Sequence, residues 1–465
     1  MNKKPNIVFV LADDLGYMDL SCYGSNFYET PNLDRLAAEG MYFTDAYASS
    51  PVCSPSRASI LSGKYPATVG VTNYIGGKAE GRLIDAPYLH YLPLSEYSLA
   101  KAFKDAGYDT WHVGKWHLGA APYYPEHHGF DANIGGNSWG GPKYGYFSPW
   151  GIETLPDAGT SPGQYLTDRL TDEAIKLIKS RRDSSRPFFL NLWHHAVHIP
   201  AQAKEEVIPK YEEKARRLGL DKVHPLEEGE FFPCRHKMTQ RVTRRFCQSH
   251  PVYAAMIDIL DDNVGRLRRA LAECGELENT IFVFTSDNGG LATAESSPTC
   301  NAPLREGKGW LYEGGVRVPL IISWPGVIKP GSRCTAPVIA PDFYPTLLEA
   351  AGLPARPEQH CDGLSFLPLL HAEKELNRQA IYWHYPHYSN QGGTPSSAVR
   401  AGDYKLIEFF EDGRLELYNL RTDPGERKNL APSEPEIARE LHKMLTAWRK
   451  KVGAILPERN NAFPA

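Results

Sequence analysis

Acidic and amide side chains follow two apolar runs that have the character of buried strands. Asp13 and Asp14 come directly after NIVFVLA, and Asp287 and Asn288 come shortly after IFVF. In an open α/β sheet, ligands bind beyond the carboxyl ends of the strands, where both pairs can meet. Adjacent carboxylates repel each other unless a cation lies there, and hard oxygen ligands favour Ca²⁺ or Mg²⁺. Either pair alone could cap a turn, but together they predict a four-oxygen cation site.

Basic side chains and histidines that could act on an oxyanion lie in three further segments. Lys115 and His117 occur in HVGKWHLG, His198 lies in HHAVHIP, and Lys308 lies in the glycine-rich LREGKGWLYEGG. The lysine loop lacks the spacing of a nucleotide P-loop, and a single histidine is more often a packing residue than a catalyst. With Arg57 and a hard cation, however, this set suits the transfer of a polyanionic, tetrahedral group.

Cys53 lies in SSPVCSPSRASILSGKYP, at the predicted start of a helix. Ser54 is suited to the N-cap, Pro55 to the first helical position, and Gly63 to the end of the helix. The positive end of the helix dipole then favours an anion near Cys53, and Arg57 lies one turn along on the same side. The thiol could be structural, a metal ligand or the nucleophile of a Cys–His pair.

The composition is that of an ordinary globular protein. The chain has 465 residues, of which 42% are hydrophobic and 23% are charged, with a formal net charge of -4. These values allow a large core, and without a basic stripe they give no reason to expect nucleic-acid binding. No apolar run is long enough to span a bilayer. Eight cysteines without a Cys-x-x-Cys pair predict neither a zinc ribbon nor a disulfide scaffold.

The first apolar run also bears on the location of the protein. NIVFVLA is too short for the apolar region of a signal peptide and is followed at once by two aspartates. We therefore read it as a buried strand, and expect either a cytosolic protein or one whose export signal has been removed.

Short β-type runs alternate with helical patterns along most of the chain. Strands are predicted over NIVFVLA, MYFTDAYA, DTWHVGKW, NTIFVFTSDNGG and VPLIISWPG. Helices are predicted over residues 95–106, over QYLTDRLTDEAIKLIKSR and over PVYAAMIDILDDNVGRLRRALAECG. This alternation predicts a large, mostly parallel sheet with helices on both faces.

Two segments depart from that pattern. Residues 203–250 are highly charged and form either a solvated surface insertion or a lid whose arginines face an anionic substrate. After residue 375, short strands joined by Gly, Asp and Asn turns precede the amphipathic EPEIARELHKMLTAWRKKV. We therefore predict a catalytic domain over residues 1–375 and a C-terminal subdomain of antiparallel sheet plus helix over residues 376–465.

The sequence CSPSRASILSGKYP resembles the signature of the type I sulfatases, in the alkaline phosphatase superfamily. LADDLGYMDLSCYG, TPNLDRLAAEG, HVGKWHLG, TSDNGG and GKGWLYEGGVRVP extend the likeness in family order over essentially the whole chain. The resemblance implies an alkaline phosphatase-like α/β fold and a sulfuric ester hydrolase. It also implies that Cys53, in the motif C-x-P-x-R, is oxidised by a maturation enzyme to Cα-formylglycine.

Such a modification has a chemical rationale. A thiolate attacking sulfur would give a thiosulfate ester with no easy internal release. A hydrated aldehyde has two hydroxyls on one carbon, so that one can attack sulfur and displace the alcohol. The second hydroxyl then loses its proton, and the sulfate is expelled as the aldehyde re-forms.

The resemblance also implies a role for each matching residue. One Ca²⁺ would be held by Asp13, Asp14, Asp287, Asn288 and the modified Cys53, and Asp287 would also serve as a base on the attacking hydroxyl. Arg57 would hold the hydrate, while Lys115 and Lys308 would neutralise sulfate oxygens. His198 would protonate the leaving alcohol oxygen, and His117 would take the proton that triggers sulfate release.

The substrate is less well specified. The segments NSWGGPKYGYFSPW and YWHYPHY suit a carbohydrate, and the candidate substrate-binding residues are Asn137, Ser138, Trp139 and Arg305. The sequence as a whole resembles those of bacterial sulfatases that remove sulfate from terminal galactose or N-acetylgalactosamine of host or algal glycans, such as glycosaminoglycans and mucins. That likeness implies a sulfated mono- or oligosaccharide substrate, and a periplasmic or secreted protein if a signal was trimmed.

Two other functions remain possible from the sequence. One is a phosphodiesterase or phosphonate monoester hydrolase of the same superfamily. The other is a non-catalytic protein that binds sulfated glycans.

Overall fold

The computed structural model describes residues 4–156, 160–181, 185–372 and 376–463. The strands are β1 (Asn6–Ala12), β2 (Met41–Phe43), β3 (Ala46–Tyr47), β4 (Leu83–Ile84), β5 (Asp109–Gly114), β6 (Ala132–Ile134), β7 (Phe188–Trp193), β8 (Leu226–Phe231), β9 (Arg241–Arg245), β10 (Thr280–Ser286), β11 (Leu320–Ser323), β12 (Ser332–Cys334), β13 (Val338–Ile339), β14 (Ile381–Tyr385), β15 (Ser396–Ala401), β16 (Tyr404–Phe409), β17 (Leu415–Asn419) and β18 (Glu458–Arg459). The α-helices are α1 (Pro31–Glu39), α2 (Cys53–Ser62), α3 (Pro66–Val69), α4 (Leu99–Asp105), α5 (Leu166–Lys179), α6 (Ile208–Arg217), α7 (Pro251–Glu273), α8 (Glu313–Val316), α9 (Phe343–Ala350), α10 (Leu367–Leu370) and α11 (Pro435–Val452).

Eight strands form the central sheet, in the order β12-β2-β11-β10-β1-β7-β5-β6. Only β11 runs antiparallel to its neighbours, so the predicted mostly parallel sheet is confirmed. Every residue of β1, β7 and β10 is buried. A parallel sheet covered on both faces requires such continuous apolar strands, which is why NIVFVLA shows no polar alternation.

Helices cover both faces of this sheet. Side chains along β1 alternate between the faces, as in any strand. Val8 and Val10 pack into a core with α1, α5 and α7, whereas Ile7, Phe9 and Leu11 pack into a second core with α2, α4 and α9. The two cores fix the sheet edge at which the polar residues emerge.

The C-terminal strands form a separate antiparallel sheet in the order β14-β15-β16-β17, and α11 packs against it. Trp448 of α11 stacks on Tyr382 of β14 with ring centroids 4.8 Å apart. The indole of Trp383 donates to the carbonyl of Ala48 over 2.8 Å, which joins this sheet to the segment before α2. The predicted antiparallel sheet plus helix is thus present. The boundary proposed at residue 375 falls on residues 373–375, outside the described residues, and the division into two domains stays a prediction.

The charged segment 203–250 contains α6 and a hairpin of β8 and β9. Arg244 pairs with Glu230 and Glu306, and Arg245 donates to the carbonyl of Ser297. These two arginines are therefore bonded to protein partners, whereas a role of the segment as a lid stays a prediction.

Three local predictions need correction. The run MYFTDAYA is split into β2 and β3, because β2 pairs with β11 and β12 in the central sheet whereas β3 pairs with β13 in a separate two-stranded sheet. The helix predicted over residues 95–106 begins only at Leu99, since the hydroxyl of Ser98 caps it by accepting from the amide of Lys101. The third correction concerns α2 and is described with the site. None of the described helices has the length and apolar character needed to cross a membrane.

Candidate active site

Four neighbouring parallel strands, β10, β1, β7 and β5, end at one edge of the central sheet. Asp13 and Asp14 follow β1, and Asp287 and Asn288 follow β10, the two strands being paired in register up to their last residues. Lys115 follows β5, and its amide donates to the last carbonyl of β7 over 2.7 Å. The sheet topology therefore brings together motifs that are far apart in the sequence.

Helix α2 begins at Cys53, which corrects the prediction that Ser54 is its N-cap. The hydroxyl of Ser54 donates to the carbonyl of His117 over 2.9 Å and accepts from the amide of Ile75 over 3.0 Å. These tertiary partners replace the local capping bond, and Val52 takes the cap position. Gly63, with φ of 70°, ends the helix as predicted. Cys53 is consequently the first residue of a buried helix, at the positive end of its dipole.

Three buried carboxylates each bond to a different base. Lys115 Nζ lies 2.9 and 2.7 Å from the two carboxylate oxygens of Asp13. Arg57 donates twice to Oδ2 of Asp287, over 2.9 and 2.7 Å. The third pair joins Lys308 Nζ to Asp14 Oδ2 over 2.7 Å, and all six side chains are at most 8% exposed. Removing one member of such a pair leaves a buried, uncompensated charge at a cost of about 3–5 kcal/mol.

The loop that carries Lys308 is tied to both neighbouring motifs. The amide of Lys308 donates to the carbonyl of Gly290 over 3.1 Å, and the amide of Gly309 donates to the carbonyl of Pro51 over 2.8 Å. The lysine is therefore fixed relative to both Asn288 and Cys53.

The donor set fits a hard cation. Ligand atoms of Asp13, Cys53 and Asp287 lie within 4.8 Å of one another, as do those of Asp14, Cys53 and His198. Asn288 donates to Asp14 over 2.8 Å, but its buried Oδ1 accepts from no group within the described ranges. A buried oxygen without a donor costs about 1–3 kcal/mol, and a cation would supply the missing partner. Carboxylate and amide oxygens are the donors that Ca²⁺ prefers.

Both predicted histidines face the cavity above Cys53. Nδ1 of His198 donates to the carbonyl of Ile199 over 2.7 Å, and Nε2 lies 3.6 Å from Asp14 Oδ2. Nε2 of His117 bonds to the carbonyl of Ile75 over 3.1 Å. Burial, reinforced by Lys308, lowers the pKa of His198 to about 4, and burial with Lys115 holds the pKa of His117 well below its usual value. Both imidazoles are therefore neutral at pH 7 in the free protein.

The pKa values of two acids and of the thiol are also shifted. Burial raises the pKa of Asp287 to about 6 in spite of Arg57. Burial acts in the same direction on Asp14, but Lys308 and its other cationic neighbours outweigh it, and the pKa of Asp14 falls well below its usual value. Burial raises the pKa of the Cys53 thiol to about 12, although Lys115 and Lys308 oppose it. Since the thiolate is the reactive form of cysteine, this disfavours the Cys–His nucleophile pair.

A cavity of about 320 Å³ lies over Cys53. His117, His198 and Lys308 line it, as predicted from the sequence. Its other lining residues were not predicted, and they are Val52, Tyr74, Ile75, Gly76, Gly140, Ile199, Glu295, Asn390 and Gln391. Val52, Gly140 and Ile199 lie in segments singled out above, but they carry no charge or catalytic group. The others come from loops without a recognisable motif, so the pattern that marked the charged cluster could not mark them.

The four substrate-binding candidates lie in different places. Asn137 is buried, and its carbonyl accepts from the amide of His117 over 3.1 Å. Ser138 is partly buried beside it, and Trp139 lines an adjoining groove of about 560 Å³ that also contacts His198. Within GGNSWGG, the residue that reaches the cavity is Gly140, where a Cβ would meet the His117 ring at 2.7 Å.

Arg305 is not among the residues that line the cavity. Its guanidinium stacks 3.9 Å from the ring centroid of Tyr312 and donates to the hydroxyl of Tyr418 and the carbonyl of Glu426. Because Tyr418 of β17 and Glu426 in the loop beyond it accept these bonds, the structure directs Arg305 away from the other candidates.

Comparisons with known proteins agree with this geometry. The family model described as Sulfatase matches residues 5–353, and the model described as N-sulphoglucosamine sulphohydrolase, C-terminal, matches residues 307–451. A sulfatase of Formosa agariphila is 33% identical over 97% of this chain and 90% of its own length. The N-acetylgalactosamine-6-sulfatase of Mus musculus is 32% identical over 91% of this chain and 76% of its own length. The crystal structure of Ps i-CgsB in complex with k-i-k-neocarrahexaose aligns with a TM-score of 0.77 and 29% identity, over 96% of this chain and 92% of that chain.

Proposed function

This chain belongs to the sulfatase family and is a sulfuric ester hydrolase that acts on sulfated carbohydrate, and we propose that it uses formylglycine made from Cys53 together with one Ca²⁺. One observation carries the proposal. Cys53, at the N-terminus of α2, lies beside three buried acid–base pairs that come from separate segments. Three cations around one anion-binding helix terminus suit the binding of a tetrahedral sulfate.

We propose Asp13, Asp14, Asp287 and Asn288, with the modified residue at position 53, as the ligands of Ca²⁺. The support is the donor set, above all the buried amide oxygen of Asn288 that accepts from no described group. When bound, the ion supplies positive charge that polarises a sulfate oxygen and favours an ionised nucleophile. The bases bonded to the carboxylates hold them in orientation, and this reduces the rearrangement needed on metal binding.

The nucleophile would be a hydrated aldehyde at position 53. The protonated state of the Cys53 thiol supports this, because an unmodified residue would be a poor nucleophile at neutral pH. The hydrate supplies one hydroxyl to attack sulfur and a second whose deprotonation releases sulfate. Arg57, held by Asp287 and by the carbonyl of Lys115, would orient this residue. The modification requires a maturation enzyme that recognises C-x-P-x-R, which we propose as a partner of this chain.

The remaining residues would handle charge and protons. Lys308 lines the cavity, so its ammonium can bond a sulfate oxygen while it keeps Asp14. Lys115 would add a second positive charge. His117, neutral at pH 7, would accept the proton that triggers sulfate release. His198 would protonate the leaving oxygen. Because burial lowers its pKa to about 4, it must gain a proton before it can act as this acid.

The substrate would be a terminal galactose or N-acetylgalactosamine O-sulfate. The relatives named as N-acetylgalactosamine-6-sulfatases support this assignment. The groove at Trp139 joins the cavity at Gly140 and His198, so it could hold a neighbouring sugar against an aromatic face. Asn137 and Ser138 would support the loop that forms this junction.

A screen of sulfated mono- and disaccharides, scored by sulfate release, tests the proposal. The protein is first shown by mass spectrometry to carry formylglycine and is supplied with Ca²⁺, and Cys53→Ala is the control. We expect release by the modified protein alone. If modified, calcium-loaded protein leaves aryl and sugar sulfates untouched, the mechanism is wrong. Faster turnover of a phosphate diester would favour the phosphodiesterase alternative.

A further inference from the structure

A group of polar residues forms a second part of the cavity wall, distinct from the residues that would bind sulfate. Tyr74, Glu295, Asn390 and Gln391 come from three separate loops and all line the space above Cys53. Gln391 Nε2 donates to Glu295 Oε2 over 2.5 Å, and Asn390 Nδ2 donates to the hydroxyl of Tyr74 over 2.9 Å. Among the described residues that line this cavity, Glu295 is the one acid.

The backbone at Glu295 is unusual and firmly held. Residues 294–297 are not glycines, yet all four have positive φ, with values of 53°, 44°, 74° and 41°. Each such residue costs about 1–3 kcal/mol and persists only where the surroundings enforce it. Here the amide of Ala294 donates to the carbonyl of Thr243 over 2.8 Å, and Arg245 Nε donates to the carbonyl of Ser297 over 2.5 Å. The hairpin of β8 and β9 thus clamps the turn that presents Glu295.

Gln391 is also fixed by its surroundings. The residue is 3% exposed, and its main-chain carbonyl accepts from Thr293 Oγ1 over 3.0 Å and from Trp310 Nε1 over 3.1 Å. The carboxylate of Glu295 therefore has a defined orientation. A carboxylate can only accept hydrogen bonds, and two oxygens offer more acceptor sites than Gln391 alone occupies.

An acid is unexpected in a cavity whose other charged groups would attract an anion. A carboxylate repels sulfate, and its position in the cavity wall suits contact with the sugar instead. A sugar whose sulfate lies at Cys53 would fill a cavity of about 320 Å³ up to the wall formed by Glu295. Sugar hydroxyls would donate to the carboxylate, whereas a second sulfate or a carboxylate on the sugar would meet a like charge.

We infer that Glu295, oriented by Gln391, is a specificity residue that selects sugars with one anionic group and rejects sugars with a second one. This inference rests on the proposed function, since it assumes that the sulfate lies at Cys53. It assigns to the loops of the cavity wall, and to the charged segment 203–250 that clamps one of them, a part in substrate choice.

The test compares two substrates in matched variants. The substrates are a monosulfated N-acetylgalactosamine and the same sugar with a second sulfate, and the readout is the ratio of their kcat/KM values. Glu295→Gln keeps the shape and removes the charge, so we expect the ratio to shift by about tenfold towards the disulfated sugar. Glu295→Asp keeps the charge and should retain the preference. Glu358→Gln, at an exposed acid outside both the cavity and segment 203–250, is the matched control and should leave the ratio unchanged.

An unchanged ratio in Glu295→Gln, including an equal loss on both substrates, would overturn the inference. Binding separates this failure from failure of the catalytic proposal. The same substitution in a Cys53→Ala background should shift the ratio of the two dissociation constants, measured by calorimetry, in the same direction. If the modified wild-type protein releases no sulfate while the binding ratio still shifts, the catalytic proposal fails and the selectivity of Glu295 stands.

Discussion

Replacement of His198 by alanine separates acid catalysis from sulfate binding. The imidazole lines the cavity beside Cys53 and Lys308, and its Nδ1 is bonded to the carbonyl of Ile199. This leaves Nε2, which lies 3.6 Å from Asp14, as the nitrogen that can serve the leaving oxygen. Lys308 stays 2.7 Å from Asp14 without the imidazole, so the charged cluster should survive the substitution.

The size of the effect depends on the leaving group. A sugar alkoxide is a poor leaving group, and a positioned acid accelerates its departure by about 10²–10⁴. At about 1.36 kcal/mol for each factor of ten, this corresponds to about 3–5 kcal/mol in the barrier. The phenolate of an activated aryl sulfate leaves without protonation. We therefore expect a loss of about 10²–10⁴ in kcat for the sugar sulfate and less than about tenfold for the aryl sulfate.

The assay measures kcat and KM for both substrates with wild-type protein and His198→Ala. Both preparations need verified formylglycine and the same melting temperature, so that neither modification nor folding explains a difference. His198→Gln is the conservative control, because it restores a polar side chain without an acid and should behave like the alanine variant. Equal losses on the two substrates would refute the acid role of His198 and point to a role in sulfate binding or metal placement.

Three other predictions concern metal binding and stability. Asn288→Ala removes the buried amide oxygen and should weaken Ca²⁺ binding by at least about tenfold in calorimetry; unchanged affinity would exclude Asn288 as a ligand. Lys405 is fully buried, 2.9 Å from Glu313 and 3.0 Å from another buried glutamate, so Lys405→Met should lower the free energy of unfolding by about 3–5 kcal/mol. The exposed Lys443→Met is its control, and equal effects in denaturant unfolding would contradict the argument. Burial raises the pKa of Asp19 from 3.8 to about 6, so between these pH values the folded state binds a proton that the unfolded state has lost. About 2–3 kcal/mol of stability is therefore lost as the pH rises from about 4 to 6. Asp19→Asn should flatten this part of the curve of melting temperature against pH, and an unaltered slope would show that other groups cause it.

The charged centre could be predicted from the sequence because each of its motifs is a continuous stretch. NIVFVLA and IFVF are apolar throughout, which identifies strands buried on both faces, and the polar residues that follow each strand must emerge at a sheet edge. The order of the strands was not needed for this inference. The structure adds that Asp13 and Asp287 meet because β1 and β10 are neighbours, which the pattern of residues alone did not specify.

Other features depend on contacts that leave no local trace. Serine commonly caps helices, yet the hydroxyl of Ser54 bonds to the backbone of His117 and Ile75. These tertiary hydrogen bonds outweigh a local capping bond worth about 1 kcal/mol. Arg305 lies in the glycine-rich segment of Lys308, but its guanidinium bonds to Tyr418 of the C-terminal sheet. Glu295 is a single acid in an irregular loop. Its left-handed backbone could not be predicted, because none of residues 294–297 is a glycine and other residue types rarely have positive φ.

The C-terminal segment, predicted from the sequence as a subdomain of antiparallel sheet plus helix, contributes directly to the cavity. The loop between β14 and β15 places Asn390 and Gln391 in the cavity wall. Lys405 of β16 neutralises Glu313 at the start of α8, five residues beyond Lys308. A buried lysine between carboxylates contributes little net stability but strongly penalises any arrangement that separates them. The network therefore fixes the C-terminal sheet against the loop of Lys308, beside the cavity wall to which Asn390 and Gln391 belong. We therefore expect substitutions in the loop between β14 and β15 to change the choice of sugar more than the rate of sulfate release.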